Sequence, residues 1–163
     1  MGPCCIRATS PGKQWLRIAG IRAETRVDRL ELLREAPEFV GMLDSEQSPV
    51  RAVFAGPETT SGRVLIGVHE SGALRLIGCP DQQNTDGIPV VVGELLAVSG
   101  RLWNQQASVV CGVFEKEAGI PLLEAVRRRA EPDWKADKFM LGLARALKEG
   151  KFPVVLFVDC LDA

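Results

Sequence analysis

The chain lacks an excess of either charge: 20 basic and 21 acidic side chains leave a formal charge of −1. The whole-domain positive field that draws proteins to nucleic acid is therefore missing, and only a local basic patch remains to carry such a partner. Histidine is scarcer still, since His69 is the only one in 163 residues. That excludes a histidine-rich metal site, and a triad of the Ser-His-Asp kind would have to use this one ring. The cysteines, Cys4, Cys5, Cys79, Cys111 and Cys160, are odd in number and never spaced C-x-x-C. They point to neither a disulfide framework nor a zinc site, so a cytoplasmic location is expected. No run approaches the roughly 20 apolar residues of a membrane span, and no membrane association is expected. The opening Met-Gly-Pro-Cys-Cys-Ile has no signal-peptide core and carries Ile6 where a myristoylation start takes Ser or Thr, so a plain terminus is expected.

What is present suits one globular domain. The 46% hydrophobic and 25% charged residues are ordinary, and a chain of this length buries a real core. Residues 1–12, rich in Gly, Pro and Ser, are expected to be loose, and 13–22 reads as a short strand. From Glu24, "ETRVDRLELLREAPEFVGML" sets Val27, Leu30 and Leu33 at helical spacing, with Pro37 as a kink. Residues 48–56 read as a strand.

"GRVLIGVHESGALRLIGC" (62–79) reads as a hairpin turning at His69-Glu70-Ser71-Gly72. Its second strand is expected to be half buried, with Leu74, Leu76 and Gly78 on one face and Arg75 and Ile77 on the other. A helix over 86–103 has Asp86 as cap and Pro89 in its first turn. Helices over 108–119, 121–130 and 132–150 follow, the last stopped by Gly150. The apolar stretch 151–159 suits a strand covered on both faces, and Trp103 and Trp134 are expected against the core. The order is helix, three strands, helix, helical insertion and strand, a mixed α/β sandwich.

Several motifs in that order resemble the PD-(D/E)XK, or restriction-endonuclease-like, nuclease superfamily, specifically a branch of uncharacterised bacterial proteins related to the C-terminal domain of mismatch-type endonucleases. Leu32, Leu33, Pro37 and Glu38 follow its Leu-Leu-x-x-x-Pro-Glu helix. Gly62, Arg63, Val64, Gly72, Leu74, Leu76 and Ile77 follow its hairpin G-R-[IV]-D-L-L-A-x-D-x-x-G-x-L-x-[VI]-[IV]-E-L-K. "VVVGELLAVSGRLW", "PLLEAVRRR", "DWKADKF", "ALKEGKF" and "VVLFVD" are similar to its later segments. The resemblance spans roughly residues 24–162. It implies an N-terminal extension (1–23) before a single domain (24–163) with a restriction-endonuclease-like αβββαβ core and a helical insertion at about 104–150.

Such nucleases hold Mg²⁺ between an Asp on one hairpin strand and a Glu on the next, with a Lys two residues later acting on water. Hard cations need clustered carboxylate oxygens, and the metal polarises phosphate and lowers the pKa of attacking water. Carried over residue by residue, the Asp falls on Leu65, the Glu on Gly78 and the Lys on Pro80. None supplies a ligand or a charge. A slip of one residue brings Val64 or Ile66 and Ile77 or Cys79, still without a carboxylate. Glu94 and Val98 stand at the Gln and Tyr positions of the helix motif.

The resemblance therefore implies a catalytically degenerate nuclease fold kept as a binding or interaction domain, without a metal or other cofactor. Two alternatives stay open. One is an active Mg²⁺-dependent endonuclease with relocated acids drawn from Glu94, Asp81 and Glu70. The other is a protein–protein interaction module or homodimer. Both a nucleic acid and a protein remain open as partners. Arg127, Arg128, Arg129, Lys135 and Lys138 are the candidates for phosphate contact, although their alternation with Glu124 and Glu131 equally suits a solvated face. A Cys79–His69 hydrolase would need a third residue and an oxyanion donor that no motif provides.

Overall fold

The computed structural model describes residues 33–37, 40, 49–56, 64–80 and 87–156, together with the strands Cys4–Thr9 and Gln14–Ala19. The chain is a mixed α/β protein built on a four-stranded mixed sheet. The first two strands, β1 (Cys4–Thr9) and β2 (Gln14–Ala19), pair antiparallel in a sheet of their own. The expectation that residues 1–12 are loose is thus corrected for Cys4–Thr9, which is a strand; the rest of that stretch lies outside the described residues.

The main sheet contains β3 (Val50–Ala55), β4 (Val64–His69), β5 (Leu74–Gly78) and β6 (Val154–Leu156), in that spatial order. The pairs β3–β4 and β4–β5 are antiparallel, and β5–β6 is parallel. Between β5 and β6 the chain forms α1 (Gly87–Leu102), α2 (Ala107–Ala118), α3 (Leu122–Arg127) and α4 (Ala136–Glu149). The expected hairpin, crossover helix and helical insertion are therefore present. Of the first helix, residues 33–35 are helical and Pro37 lies in a 3₁₀ turn; its remainder and the Asp86 cap fall outside the described residues.

Strand alternation sends Ala52, Phe54, Val64, Ile66, Val68, Leu74 and Leu76 to one face, where all four helices contribute to a single core through Val91, Leu95, Phe114, Val126, Phe139 and Leu143. The opposite face carries Val50, Val53, Leu65, Ile77 and Cys79, covered by Leu33 and Val40. Arg75 lies on this second face, buried, and its Nη1 donates to the Val40 carbonyl at 3.0 Å. β5 is buried on both faces rather than half buried, because it is an inner strand between β4 and β6. β6 departs the other way. Val154 is 54% and Leu156 38% exposed, since this three-residue strand lies outside β5 in the strand order.

The hairpin turn is seated directly on α4. Gly72 has φ +85°, and a Cβ there would lie 2.3 Å from the Phe139 carbonyl O. Across the contact, a Cβ on Gly142 would lie 1.9 Å from the Ser71 carbonyl O. Backbone touches backbone at both positions, so neither has a side chain that could yield. Trp134 adds an Nε1–H bond of 2.8 Å to the Glu70 carbonyl and packs its ring on Phe139, 5.6 Å between centroids. Trp103, by contrast, is 57% exposed and caps α4, donating from Nε1 to the Lys148 carbonyl at 3.2 Å beside Gly150, the left-handed C-cap. The expectation that Trp103 packs in the core is corrected: its indole serves an orphan helix carbonyl instead.

Gly142→Ala is expected to lower unfolding free energy by at least about 2 kcal/mol. Gly93→Ala, where a Cβ meets nothing within 4 Å, is expected to raise it by up to about 1 kcal/mol through helix propensity alone. Urea denaturation of the two variants, both glycine to alanine within a helix, separates the contact from the propensity.

Candidate functional site

The end of the β4–β5 hairpin farthest from the turn is where the motif positions gather. In the ladder Val64 faces Gly78 and Leu65 faces Ile77. Paired residues share a face, so Leu65 and Gly78 point to opposite sides of the sheet. Leu65 is fully buried with Leu33, Val40 and Ile77 in the second-face core.

Gly78 faces α1. A Cβ built on it would lie 2.6 Å from Val91 Cγ1, 2.8 Å from Leu156 Cδ2 and 3.0 Å from Leu95 Cδ1. The position is closed by apolar groups from both neighbouring elements, and no side chain fits without displacing them. Pro80 follows the strand and is buried. It has no amine and no backbone donor.

The three acids named as relocated ligands do not gather here. Glu70 is in the turn, six residues along the ladder from Val64, which is about 20 Å at the rise of a strand. Its carboxylate is engaged by Arg51, with Oε2 2.9 Å from Nε and 2.8 Å from Nη2, and Arg51 also reaches Glu131 at 3.6 Å. Arg51 sits where the β3–β4 register shifts between Val50 and Ala52, the local irregularity that re-aims side chains at a sheet edge. Glu94 is half-buried on α1, at the margin of the stripe formed by Val91, Leu95, Val98 and Leu102. Asp81 lies outside the described residues. Among the described residues, no three His, Cys, Asp or Glu side chains are grouped as metal ligands.

His69 ends β4 and Cys79 follows β5, so on one antiparallel ladder they stand at opposite ends, about 20 Å apart. The other described free thiol, Cys111, is half-buried. Burial raises its pKa first, and the Glu115 charge adds to the rise. A raised thiol pKa disfavours the nucleophilic thiolate.

The basic candidates lie on α3, its C-terminal side and the start of α4. Arg128 pairs with Glu124 one turn back, and Arg129 Nη2 donates to the Arg34 carbonyl at 3.0 Å. Arg127, Lys135 and Lys138 are exposed, interspersed with the exposed Glu131, Asp133 and Asp137. On the outer side of α1, Ile88, Val90, Val92 and Leu96 are 41% to 69% exposed, with Arg101 as the exposed charge of its last turn.

No family model matches the chain, and comparisons with curated proteins and with solved structures find no match either. No helix among the described residues is long and apolar enough to cross a membrane.

Sequence reasoning missed the residues that hold the hairpin in place. Arg51 and Trp134 carry no local signal, because their partners lie 19 and 64 residues away. Gly142 does carry one: an isolated glycine inside an amphipathic helix often marks a close contact.

The closure at Gly78 predicts a specific coupling. Gly78→Ala alone is expected to cost about 1 to 3 kcal/mol by overpacking. Combined with Val91→Ala, which removes the nearest methyl, it is expected to cost less than the two single changes added together, a non-additivity of about 1 kcal/mol in a double-mutant cycle.

Proposed function

We propose that the chain is a non-catalytic domain of restriction-endonuclease-like architecture that acts by binding, with a protein as its partner. The strand order supports the architecture: three antiparallel strands in sequence, then a helix and a last strand parallel to the third. The observation that carries the loss of catalysis is Gly78. Where such nucleases place a carboxylate on the third strand, this chain has no side chain, and Val91, Leu95 and Leu156 occupy the space a side chain would need. Leu65, at the position of the other acid, is buried on the far face.

A binding role follows from what is left on the surface. Arg128 and Arg129 already hold internal partners, and the remaining cations are mixed with acids. A phosphate backbone needs a continuous positive track. The outer side of α1 presents the aliphatic Ile88, Val92 and Leu96 instead, side chains of the kind that contact other proteins.

Supercoiled plasmid and single-stranded RNA are expected to stay intact with the purified protein in Mg²⁺ or Mn²⁺. Reproducible metal-dependent nicking that disappears in Glu94→Ala would contradict the loss of catalysis. For the partner, retention on immobilised DNA is expected to be weak and unchanged by Arg127→Ala. Tight retention with a steep salt dependence that Arg127→Ala relaxes would assign the surface to nucleic acid.

A further inference from the structure

The outer edge of β3 holds a polar cluster that has no part in the role proposed above. Leu33 and Val40 cover one face of the sheet, α2 and α3 pack on the other beside β3, and the two layers meet around β3. There Arg34 forms an ion pair with Glu117 of α2. Both carboxylate oxygens of Glu117 lie 3.0 Å from the Ala55 backbone nitrogen and accept its hydrogen. Arg129 closes the group from the α3 side through its bond to the Arg34 carbonyl.

Beside these groups lies a cavity of about 240 Å³ whose other walls are apolar, Phe114, Ile120 and Val53 among them. Its charged lining is two guanidinium groups against one carboxylate, so the cleft is complementary to an anion. Arg34 lines the cleft with a side chain that is 38% exposed, while its Nε is buried without a hydrogen-bond acceptor.

We propose that this cleft binds a small carboxylate with an apolar body, and that Glu117 is its built-in competitor. The chemistry is read from Glu117 itself. A guanidinium and an edge-strand N–H converge on its carboxylate, the donor set that recognises that group, and the apolar walls take the rest of the ligand. Inorganic phosphate would use the guanidinium groups and leave Phe114 and Ile120 facing water. The ligand carboxylate takes the place of the Glu117 side chain at Arg34 and Ala55, without any covalent step. The site is separate from the Gly78 region and stands or falls independently of the role proposed above.

The test is a titration with 4-methylpentanoate, with acetate and inorganic phosphate alongside, followed by amide shifts at Ala55, Ile120 and Arg129. Glu117→Gln keeps an oxygen that can accept from the Ala55 N–H but removes the competing charge. We expect 4-methylpentanoate to bind this variant at least about tenfold more tightly than the wild type. The gain should vanish when Arg34→Gln is added, with helical circular dichroism unchanged, and acetate and phosphate should bind more weakly throughout. Equal affinity in wild type and Glu117→Gln, a gain that survives loss of Arg34, or phosphate binding as tightly as 4-methylpentanoate would overturn the proposal. If Glu117→Gln does not fold, the wild type decides: saturable shifts centred on Ala55 that Arg129→Gln weakens support the site, and their absence overturns it.

Discussion

Where the β4–β5 turn crosses α4, backbone meets backbone with room only for hydrogen. Gly72 and Gly142 set that distance, and at the other end of the same hairpin Gly78 lets β5 press against Val91 and Leu95 of α1. The hairpin is thus held at both ends by helices, backbone on backbone at the turn and backbone against the Val91 and Leu95 side chains at Gly78. Arg51 and Trp134 tie the turn from the sides. Because β4 and β5 are buried on both faces, this placement fixes what each face can hold: the four-helix core on one side and Leu33, Val40 and Arg75 on the other.

The same constraint bears on the proposed ancestry. In the hairpin motif of the nuclease superfamily the Asp position precedes the turn glycine by about eight residues, whereas Leu65 precedes Gly72 by one residue fewer. A one-residue change in strand register moves a side chain to the other face. Leu65 and Gly78 accordingly face apart, so restoring Asp and Glu at these two positions alone would not rebuild a shared metal site. The burial of Leu65 and the aliphatic packing at Gly78 are what a hairpin serving the core requires.

Much of the scaffold was legible in the sequence because its signals are local. The β-branched run around Val64 to Val68, the turn at Gly72 and the left-handed stop at Gly150 each act within a few residues. The alternation along β5 correctly separated Leu74, Leu76 and Gly78 from Arg75 and Ile77. What was not legible depends on distant pairing. Arg34 and Glu117 are 83 residues apart, and nothing near either one signals the other. The exposure of β6 was missed because hydropathy does not report strand order, and Val154 and Leu156 read the same at an edge as in the middle of a sheet. That Leu65, Gly78 and Pro80 carry no ligand group is read directly from the sequence, but the filled space around Gly78 is not.

Paramagnetic broadening by Mn²⁺ in a ¹⁵N-edited spectrum tests most directly whether the hairpin end is a closed joint rather than a metal site. The closed joint predicts that the amides of Ile77, Gly78, Cys79 and Val91 keep their intensity as Mn²⁺ is added, apart from the uniform loss that free ion causes. Saturable broadening centred on Gly78 at low Mn²⁺, reversed by competing Mg²⁺, would contradict it.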